Sequence, residues 1–330
     1  MKHYDRKFKY ISNYILNNDN FIITAHETPD GDAVGSESAM YGALKLLNKN
    51  VMVINADLMA DKYRFLDFDK NFKVLNNKIV IPENIAEFSL IILDTSDIEN
   101  IGDVKESILA NIKSYMIIDH HEINEKTPDY VLINSEASST CEILFNFFKY
   151  IKIDINYQIA EALFTGIVYD TGSFIYPKTT AETFNIAHKL VSKGVIPNDI
   201  YGRIYESNSI SALKLQSKVS ATLKLFYNQQ VAVQIMLKET ILECSALYEE
   251  ADSLINNPLK SKIIKVSIFF KENTEGLLRC SMRSKGNIDV SEIAQHYNGG
   301  GHKTAAGFKS KYPLEEIMPK VLKMLEVYFI

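Results

Sequence analysis

The sequence predicts an α/β protein, with an N-terminal doubly wound parallel sheet, a helical connector and a smaller C-terminal α/β domain with a mixed sheet. The first observation is a series of four apolar runs, at residues 21–24, 51–54, 90–93 and 115–118. Each run is apolar almost throughout, as is typical of a strand buried on both faces. The second observation is that apolar residues recur at helical spacing over residues 33–47, which makes a βαβ unit with the first two runs.

Helices are expected to cover the faces of this sheet. Residues 140–150 and 157–169 carry apolar side chains at helical spacing, and a third helix is predicted over residues 180–193. Ser139 is followed three residues later by Glu142, which is the pattern of a capping box and predicts the start of the helix at 140–150.

The second half of the chain predicts the connector and the smaller domain. Residues 199–225 keep a helical pattern that becomes more polar. Strands are then predicted over residues 231–237, 263–270 and 277–282. Helices are predicted among and after them, at residues 238–249, 289–297 and 313–328.

Length and composition are those of a globular protein with two domains. The chain has 330 residues, of which 46% are hydrophobic and 23% charged, which is enough apolar material for two cores. We expect a catalytic domain over residues 1–194, a linker over 195–222 and a substrate-binding domain over 223–330. A formal net charge of −5 argues against a protein that coats duplex DNA without sequence preference.

Cysteine usage and hydropathy indicate a reducing, aqueous compartment. Cys141, Cys244 and Cys280 are far apart, which fits neither a disulfide framework nor a zinc knuckle. The first 20 residues are polar and charged, without the apolar core of a signal peptide. No apolar run approaches the roughly 18 residues that a membrane span requires. We therefore expect a cytoplasmic protein with no membrane partner.

Carboxylates and histidines come directly after the predicted strands. Four such residues follow the first run, at positions 26, 27, 30 and 32. One follows the third run, Asp119, His120 and His121 follow the fourth, and another lies where a helix is predicted to stop. Because the carboxyl ends of parallel strands share one edge of a sheet, these groups are expected to meet there. The candidate metal ligands are His26, Asp30, Asp32, Asp94, His120 and Asp170.

This set of ligands predicts a pair of divalent metal ions. Two imidazoles and four carboxylates without thiolate suit manganese, with magnesium, cobalt or zinc as alternatives. Four adjacent carboxylates repel one another strongly unless divalent cations are present. Two ions about 3.5–4 Å apart, bridged by a carboxylate, would satisfy the set. A single Asp after a strand is usually a cap or turn residue, but the coincidence at successive strand ends favours a metal site.

A glycine-rich stretch and an arginine mark the second domain. Three consecutive glycines expose backbone N–H groups and allow an anion or a base to approach closely, although a flexible turn is the alternative. Residues 303–306 after this stretch have a helix-like composition. Arg283 follows the strand predicted at 277–282, and a guanidinium can hold a phosphate with two parallel bonds. The candidate substrate-binding residues are Arg283, Asn298, Gly299, Gly300, Gly301 and His302.

These motifs resemble the DHH phosphoesterase superfamily. The resemblance is carried by Asp119-His120-His121, by the upstream His26-x-x-x-Asp30-x-Asp32 cluster and by Asp94 between them. The stretch Asn298-Gly299-Gly300-Gly301-His302, with Ala305 and Gly307 beyond it, is similar to the GGGH motif of the DHH-associated C-terminal domain. The combination covers nearly the whole chain and is most similar to the bifunctional oligoribonuclease and 3′-phosphoadenosine-5′-phosphate (pAp) phosphatase type.

The resemblance implies a role for each metal-site residue. One ion would be held by His26, Asp30 and Asp94. The other would be held by Asp32, Asp94, His120 and Asp170, so that Asp94 bridges the two.

The resemblance also implies which residues face the substrate. His121 would face the scissile phosphate, and Asp119 would orient His120 or tighten the loop. Arg283 would bind the substrate phosphate or nucleotide from the second domain, with the active site in the cleft between the domains.

The implied activity is metal-dependent hydrolysis of short oligoribonucleotides to mononucleotides and of pAp to AMP, through hydroxide held by two ions. The resemblance also implies a homodimer. A linear or cyclic dinucleotide phosphodiesterase of the same superfamily is the first alternative. A manganese pyrophosphatase is disfavoured by the glycine-rich stretch, and an exonuclease for long RNA by the absence of a basic run. A nucleotide-binding regulator that does not cut is the alternative outside enzymes.

Overall fold

The computed structural model describes residues 2–75, 81–122 and 130–329. Contacts divide the chain into two units, Met1–Ser207 and Asn208–Ile330. The residues predicted as a connector, 195–222, fall partly in each unit.

The first unit contains six parallel strands in the order β3-β2-β1-β4-β5-β6. This arrangement confirms the predicted parallel sheet, whose strand order reverses between β1 and β4. The strands are β1 (Asn20–Thr24), β2 (Asn50–Asn55), β3 (Phe72–Val74), β4 (Ser89–Leu93), β5 (Ser114–Asp119) and β6 (Tyr130–Ile133).

The two edge strands, β3 and β6, are absent from the sequence prediction. Each has a neighbour on one side only among the described strands, and their side chains are partly exposed. Strand β3, in which Lys73 lies between two apolar residues, lacks the continuous apolar run that marks a strand buried on both faces. Strand β6 has such a run, Tyr130-Val131-Leu132-Ile133, which the prediction did not use.

Within the described residues, seven α-helices belong to the first unit. They are α1 (Lys2–Leu16), α2 (Gly31–Leu46), α3 (Val104–Ser107), α4 (Thr140–Tyr150), α5 (Tyr157–Asp170), α6 (Ala181–Val191) and α7 (Pro197–Tyr205). Helix α1 is also absent from the sequence prediction, because its polar residues hide a narrow apolar stripe. That stripe, which includes Phe8, Ile11 and Ile15, is buried in the main core of the unit.

The predicted capping box forms only in part. Ser139 Oγ accepts a hydrogen bond of 3.0 Å from the backbone N–H of Glu142, as the pattern requires. The Glu142 carboxylate does not return to Ser139, however, and accepts instead from the hydroxyls of Ser138 and Thr183. The second half of that prediction is wrong, because Glu142 joins α4 to the beginning of α6.

Helices α2 and α5 pack so closely that glycine is required where they meet. A methyl group on Gly35 would lie 2.7 Å from the carbonyl oxygen of Ala162 in α5. A methyl group on Gly166 of α5 would collide with the side chains of Asp32 and Cys141. The close packing of α2 against α5 therefore fixes the position of the buried Asp32 carboxylate.

The second unit contains a mixed sheet, as predicted, and its described strands lie in the order β11-β12-β10-β9-β8-β7. The sequence predicts neither this order nor strands β7, β11 and β12. Strands β8 and β9 pair in parallel and the other neighbours pair antiparallel. The strands are β7 (Lys224–Phe226), β8 (Val231–Met236), β9 (Val266–Glu272), β10 (Leu278–Ser284), β11 (Gly300–His302) and β12 (Ala305–Lys309).

The helix-like assignment of residues 303–306 is wrong. Ala305 begins β12, in which Ala306 pairs with Met282 and Phe308 pairs with Cys280 of β10. These alternate side chains are buried in the core of the unit, so that pairing with β10 outweighs local helix propensity.

The helices of the second unit are shorter than the sequence predicts. They are α8 (Ile210–Ala221), α9 (Lys238–Cys244), α10 (Ser291–His296) and α11 (Leu314–Leu325). The helix predicted over 238–249 ends early because Ser245 adopts a left-handed conformation. Short 3-10 helices in the two units cover Asp61–Leu66, Ile85–Glu87, Ile98–Ile101, Leu109–Asn111, Tyr248–Asn256, Pro258–Lys260 and Glu326–Tyr328.

No helix within residues 2–75, 81–122 and 130–329 has both the length and the apolar character needed to cross a membrane.

Replacing Gly166 by Ala tests the close packing of α2 and α5. The added methyl group forces Asp32 and Cys141 to move, and overpacking of this kind costs about 1–3 kcal/mol. We expect a lower Tm by calorimetry. The matched control is Gly202→Ala in α7, where the methyl group would lie 3.6 Å from its nearest neighbour. Equal Tm values for the two variants would contradict the packing argument.

Candidate metal centre

Polar side chains from three strand ends and one helix end meet at the carboxyl edge of the first sheet. Strands β1, β4 and β5 are neighbours there, and the last residue of α5, Asp170, reaches the same place. The structure brings together all six residues proposed as ligands. They form two triads whose ligand atoms lie within 4.8 Å of one another, His26-Asp30-Asp94 and Asp32-His120-Asp170.

The first triad centres on His26, two residues after β1. Its Nε2 lies 3.6 Å from Oδ2 of Asp94 and 3.9 Å from Oδ1 of Asp30. Its Nδ1 lies 2.7 Å from the carbonyl oxygen of Glu27. Because a carbonyl oxygen can only accept, Nδ1 carries the proton of the neutral ring, and the lone pair of Nε2 faces the carboxylates.

The second triad centres on His120, which follows β5. Its Nε2 lies 2.9 Å from Oδ2 of Asp170 and 4.0 Å from Oδ2 of Asp32. It also lies 3.6 Å from Oδ1 of Asp94. Asp94 therefore presents one oxygen to each triad, which is the arrangement that a bridging carboxylate needs.

The buried ring of His120 has unmet hydrogen-bonding capacity. The residue is 5% exposed, yet its Nδ1 has no hydrogen-bond partner among the described residues. Leaving a buried polar atom without a partner is costly. Imidazole and carboxylate donors together suit a divalent cation, so the residues present fit a metal centre.

Burial and mutual repulsion perturb the acids of the cluster. Burial, followed by the neighbouring carboxylates Asp94 and Asp170, raises the pKa of Asp32 well above its usual value. Burial, followed by Asp30 and Asp170, does the same to the pKa of Asp94. Burial lowers the pKa of His120, but the carboxylates of Asp170 and Asp32 outweigh it and the pKa is raised. A divalent cation would relieve this repulsion.

The start of α4 supports two of the carboxylates. The backbone N–H groups of Thr140 and Cys141 donate to Oδ2 and Oδ1 of Asp32, at 2.6 and 3.1 Å. The Thr140 hydroxyl donates to Oδ1 of Asp94 at 2.9 Å. Sequence analysis missed this role of Thr140, because it depends on contacts with residues 46 and 108 positions away in the chain.

Asp30 has a structural role beside its place in the first triad. It is the N-cap of α2, where its Oδ1 accepts from the backbone N–H groups of Asp32 at 2.9 Å and Ala33 at 3.2 Å. The beginning of α2 thus holds the Asp30 carboxylate, whereas the Asp32 carboxylate is held by the start of α4.

Asp119 and His121 form a pair beside the triads. Oδ1 of Asp119 accepts from the backbone N–H of His121 and lies 2.7 Å from its Nδ1. Burial raises the pKa of Asp119, but the bonds from His121 outweigh it and the pKa is lowered. Asp119 therefore contacts His121 and tightens the turn, rather than orienting His120. The His121 side chain is 56% exposed, and it lies within ligand distance of Asp94 and His120.

A buried polar network behind His26 was not anticipated from the sequence. Asn55, at the end of β2, accepts from the Thr24 hydroxyl at 3.1 Å and from the Ala25 N–H at 3.2 Å. It donates to Glu37 at 3.1 Å, and burial raises the pKa of Glu37 to about 8. This network fixes the backbone that carries His26.

In the second unit, Arg283 and His302 lie on the same face of the sheet. Strand β12 lies between β10 and β11. Its residue Ala305 pairs with Arg283 of β10 on one side and with His302 of β11 on the other. Strands are spaced about 4.8 Å apart, so the two backbones lie about 10 Å from each other. Arg283 is half-buried and donates to the carbonyl oxygen of Met282 at 3.1 Å.

The glycine-rich stretch is a paired strand rather than a free turn. Asn298 adopts a left-handed conformation before it, and residues 300–302 form β11 with exposed side-chain positions. Side chains at Gly299 and Gly301 would collide with β12, whereas a methyl group on Gly300 would meet nothing within 4 Å. The outer two glycines thus serve backbone packing, and the middle one leaves an open backbone surface.

Comparison with known families places the chain among the DHH phosphoesterases. Residues 20–167 match the DHH family, N-terminal domain, and residues 228–329 match the DHHA1 domain. The chain belongs to this family and is a phosphoester hydrolase by class, which confirms the resemblance found in the sequence.

The chain is similar along most of its length to two characterised relatives and to one solved structure. The bifunctional oligoribonuclease and PAP phosphatase NrnA of Bacillus subtilis is 28% identical over 292 residues, covering 88% of this chain and 88% of that protein. The cyclic-di-AMP phosphodiesterase GdpP of the same organism is 25% identical over 96% of this chain, which spans 49% of GdpP. The crystal structure of an exopolyphosphatase-related protein from Bacteroides fragilis has a TM-score of 0.88 and 27% identity, covering 98% of this chain and 97% of that one.

Replacing Asp94 by Asn tests the cost of an ionised carboxylate in the cluster. Because burial, followed by the neighbouring carboxylates, raises the pKa of Asp94 in the folded protein, ionisation destabilises the fold, and this cost grows as pH rises through the raised pKa. We expect the metal-free variant to have a higher Tm than metal-free wild type at pH 8, by about 2–4 °C per kcal/mol of this cost removed. The gain should be smaller at pH 5.5.

The control for this prediction is Asp154→Asn, at a side chain that is 92% exposed. It should give no stabilisation that grows with pH. A gain for Asp94→Asn that is the same at both pH values would show that ionisation of Asp94 carries no such cost.

Proposed function

We propose that this protein hydrolyses short oligoribonucleotides to mononucleotides and converts pAp to AMP. The observation that carries the proposal is the pair of triads that share Asp94, in a chain that aligns with nearly the whole of NrnA. Both reactions break a phosphoester bond to a ribose oxygen, so that one centre can serve both.

The metal ions proposed for this centre are two divalent cations, manganese in the first place, with magnesium or cobalt as alternatives. His26, Asp30 and Asp94 would hold one ion, and Asp32, His120 and Asp170 would hold the other together with Asp94. A pair of such ions lowers the pKa of water and neutralises charge on phosphoryl oxygens.

The Asp119–His121 pair is proposed to act on the substrate. The buried Asp119 carboxylate holds the Nδ1 proton of His121 and leaves Nε2 on the exposed side of the ring. In the imidazolium form, Nε2 can donate a hydrogen bond to a phosphoryl oxygen or a proton to the departing ribose oxygen.

The second unit is proposed to bind the nucleotide. Arg283 would hold a phosphate through its guanidinium. His302 lies on the same face of the sheet, and Asn298 and the open backbone at Gly300 offer further donors. Gly299 and Gly301 would contribute through the close backbone packing that they allow.

A dinucleotide phosphodiesterase is the second candidate function, because the chain also aligns over 96% of its length with GdpP. One experiment separates the candidates. The protein is incubated with manganese and equal concentrations of pAp, pApA, a five-nucleotide RNA, cyclic-di-AMP and pyrophosphate, and initial rates are compared. Highest rates on pAp and the RNA support the proposal. Highest rates on cyclic-di-AMP or pApA support the second candidate, and no turnover of any substrate contradicts both.

Replacing His120 by Ala tests the centre itself. The variant loses the ring that faces three carboxylates, and Asp94→Ala loses the carboxylate that the triads share. We expect no measurable hydrolysis from either variant and an unchanged far-UV circular dichroism spectrum. His188→Ala, at an exposed position on α6, is the matched control and should keep wild-type rates. Unchanged turnover in the His120 or Asp94 variant would exclude the metal centre as the site of hydrolysis.

Replacing Arg283 by Lys tests its proposed contact with phosphate. Lysine keeps the charge but loses the two-pronged geometry, and hydrogen bonds to charged groups contribute about 1.5–3 kcal/mol. We expect KM for pAp to rise about tenfold or more, with a much smaller change in kcat. Arg64→Lys, at an exposed ion pair with Asp61, serves as control. An unchanged KM in the Arg283 variant would remove this residue from substrate binding.

A further inference from the structure

One residue at the start of α4 contacts carboxylates of both triads. The N–H of Thr140 donates to Asp32, which belongs to the second triad, and its hydroxyl donates to Asp94, which the triads share. Among the hydrogen bonds of the described residues, Thr140 is the only residue that reaches both side chains. Thr140 is fully buried, so water does not compete for these bonds.

The contact with Asp32 uses donors that a helix leaves free. The first N–H groups of a helix have no partner within it. Ser139 satisfies the N–H of Glu142, and the N–H groups of Thr140 and Cys141 are directed to the two oxygens of Asp32. Both oxygens of the Asp32 carboxylate therefore accept hydrogen bonds from backbone N–H groups, and these donors remain when the side chain of Thr140 is replaced.

The contact with Asp94 depends on the hydroxyl alone. Within the described residues, the Thr140 hydroxyl is the sole hydrogen-bond donor to the Asp94 carboxylate. The terminal torsion of an aspartate is soft, and this bond holds Oδ1 toward His120 while Oδ2 faces His26 at 3.6 Å.

The start of α4 is itself held in place. The Glu142 carboxylate accepts from the Ser138 hydroxyl at 2.6 Å and from the Thr183 hydroxyl of α6 at 2.7 Å. Thr140 thus lies between an anchored serine and an anchored glutamate, which makes it a rigid support for a carboxylate.

We propose that Thr140 is a positioning residue that sets the orientation of the carboxylate shared by the two metal ions. The inference rests on the proposed metal centre. Thr140 contacts neither ion nor substrate in this account and acts through Asp94. Loss of its hydroxyl frees Asp94 to rotate and weakens the binding of both ions, while the backbone bond to Asp32 remains.

Three variants isolate the hydroxyl. Thr140→Val has nearly the same shape and keeps the backbone N–H, and Thr140→Ala removes the hydroxyl without a branched side chain. Thr140→Ser restores it. Thr165→Val is the matched control, since Thr165 is also fully buried and its hydroxyl donates to a backbone carbonyl in α5 at 2.8 Å.

The experiment is calorimetric titration of manganese into each metal-free protein, with Tm of the metal-free forms measured to show that each is folded. Removing a group that orients metal ligands lowers metal affinity about 10–100-fold. We expect this loss in the Val and Ala variants, and affinities within about threefold of wild type in Thr140→Ser and Thr165→Val. No activity measurement is needed for this readout.

The outcomes separate this inference from the proposed function. If wild type binds no manganese, the metal centre is wrong. If wild type binds manganese and the Val and Ala variants bind it equally well, Thr140 has no positioning role. An equal loss in Thr165→Val would also overturn the inference, because the effect would then follow from any buried threonine.

Discussion

Repulsion among buried carboxylates around His120 is the constraint on which the rest of this structure depends. Asp32 and Asp94 are almost fully buried, and burial, followed by the other acids of the cluster, raises the pKa of both. A protein stabilises such a group only by supplying hydrogen bonds and a compensating positive charge. The first unit supplies the bonds from backbone N–H groups and a threonine hydroxyl. The three carboxylates that face His120 and the mixed donor set indicate that divalent ions supply the charge.

The topology explains why this arrangement can be built from distant residues. Strand order reverses between β1 and β4, and a crevice forms outside the carboxyl ends of strands at such a point. The loops after β1, β4 and β5 each contribute ligands, and helices α2, α4 and α5 close around them. Hydrolysis of a phosphoester then needs few further groups, and the exposed His121 is placed beside the shared carboxylate.

The parallel sheet and the candidate metal ligands at its edge could be predicted from the sequence, since buried parallel strands and the polar residues after them leave a clear pattern. Two of the missed elements lack that pattern: β3 is a three-residue edge strand with a lysine at its centre, and α1 has an apolar stripe too narrow to stand out among its charges. Strand β6 is a short apolar run at the edge of the sheet, and the sequence carries a signal for it that the prediction did not use. Residues 303–306 favour a helix locally but pair with β10. The role of Thr140 could not be predicted, because one sequence does not reveal that the start of α4 lies against two aspartates from other loops.

The position of Asp170 at the last turn of α5 has a consequence for how this chain can vary. Gly166 lies one turn before Asp170 in the same helix, and its lack of a side chain leaves room for the Asp32 carboxylate. An α-helix turns about 100° with each residue. If one residue were inserted or deleted between Gly166 and Asp170, the Asp170 carboxylate would point about 100° away around the helix axis, while Gly166 kept its place beside Asp32. Insertions and deletions are therefore excluded from this stretch, although conservative exchanges of the apolar residues within it are compatible with the fold.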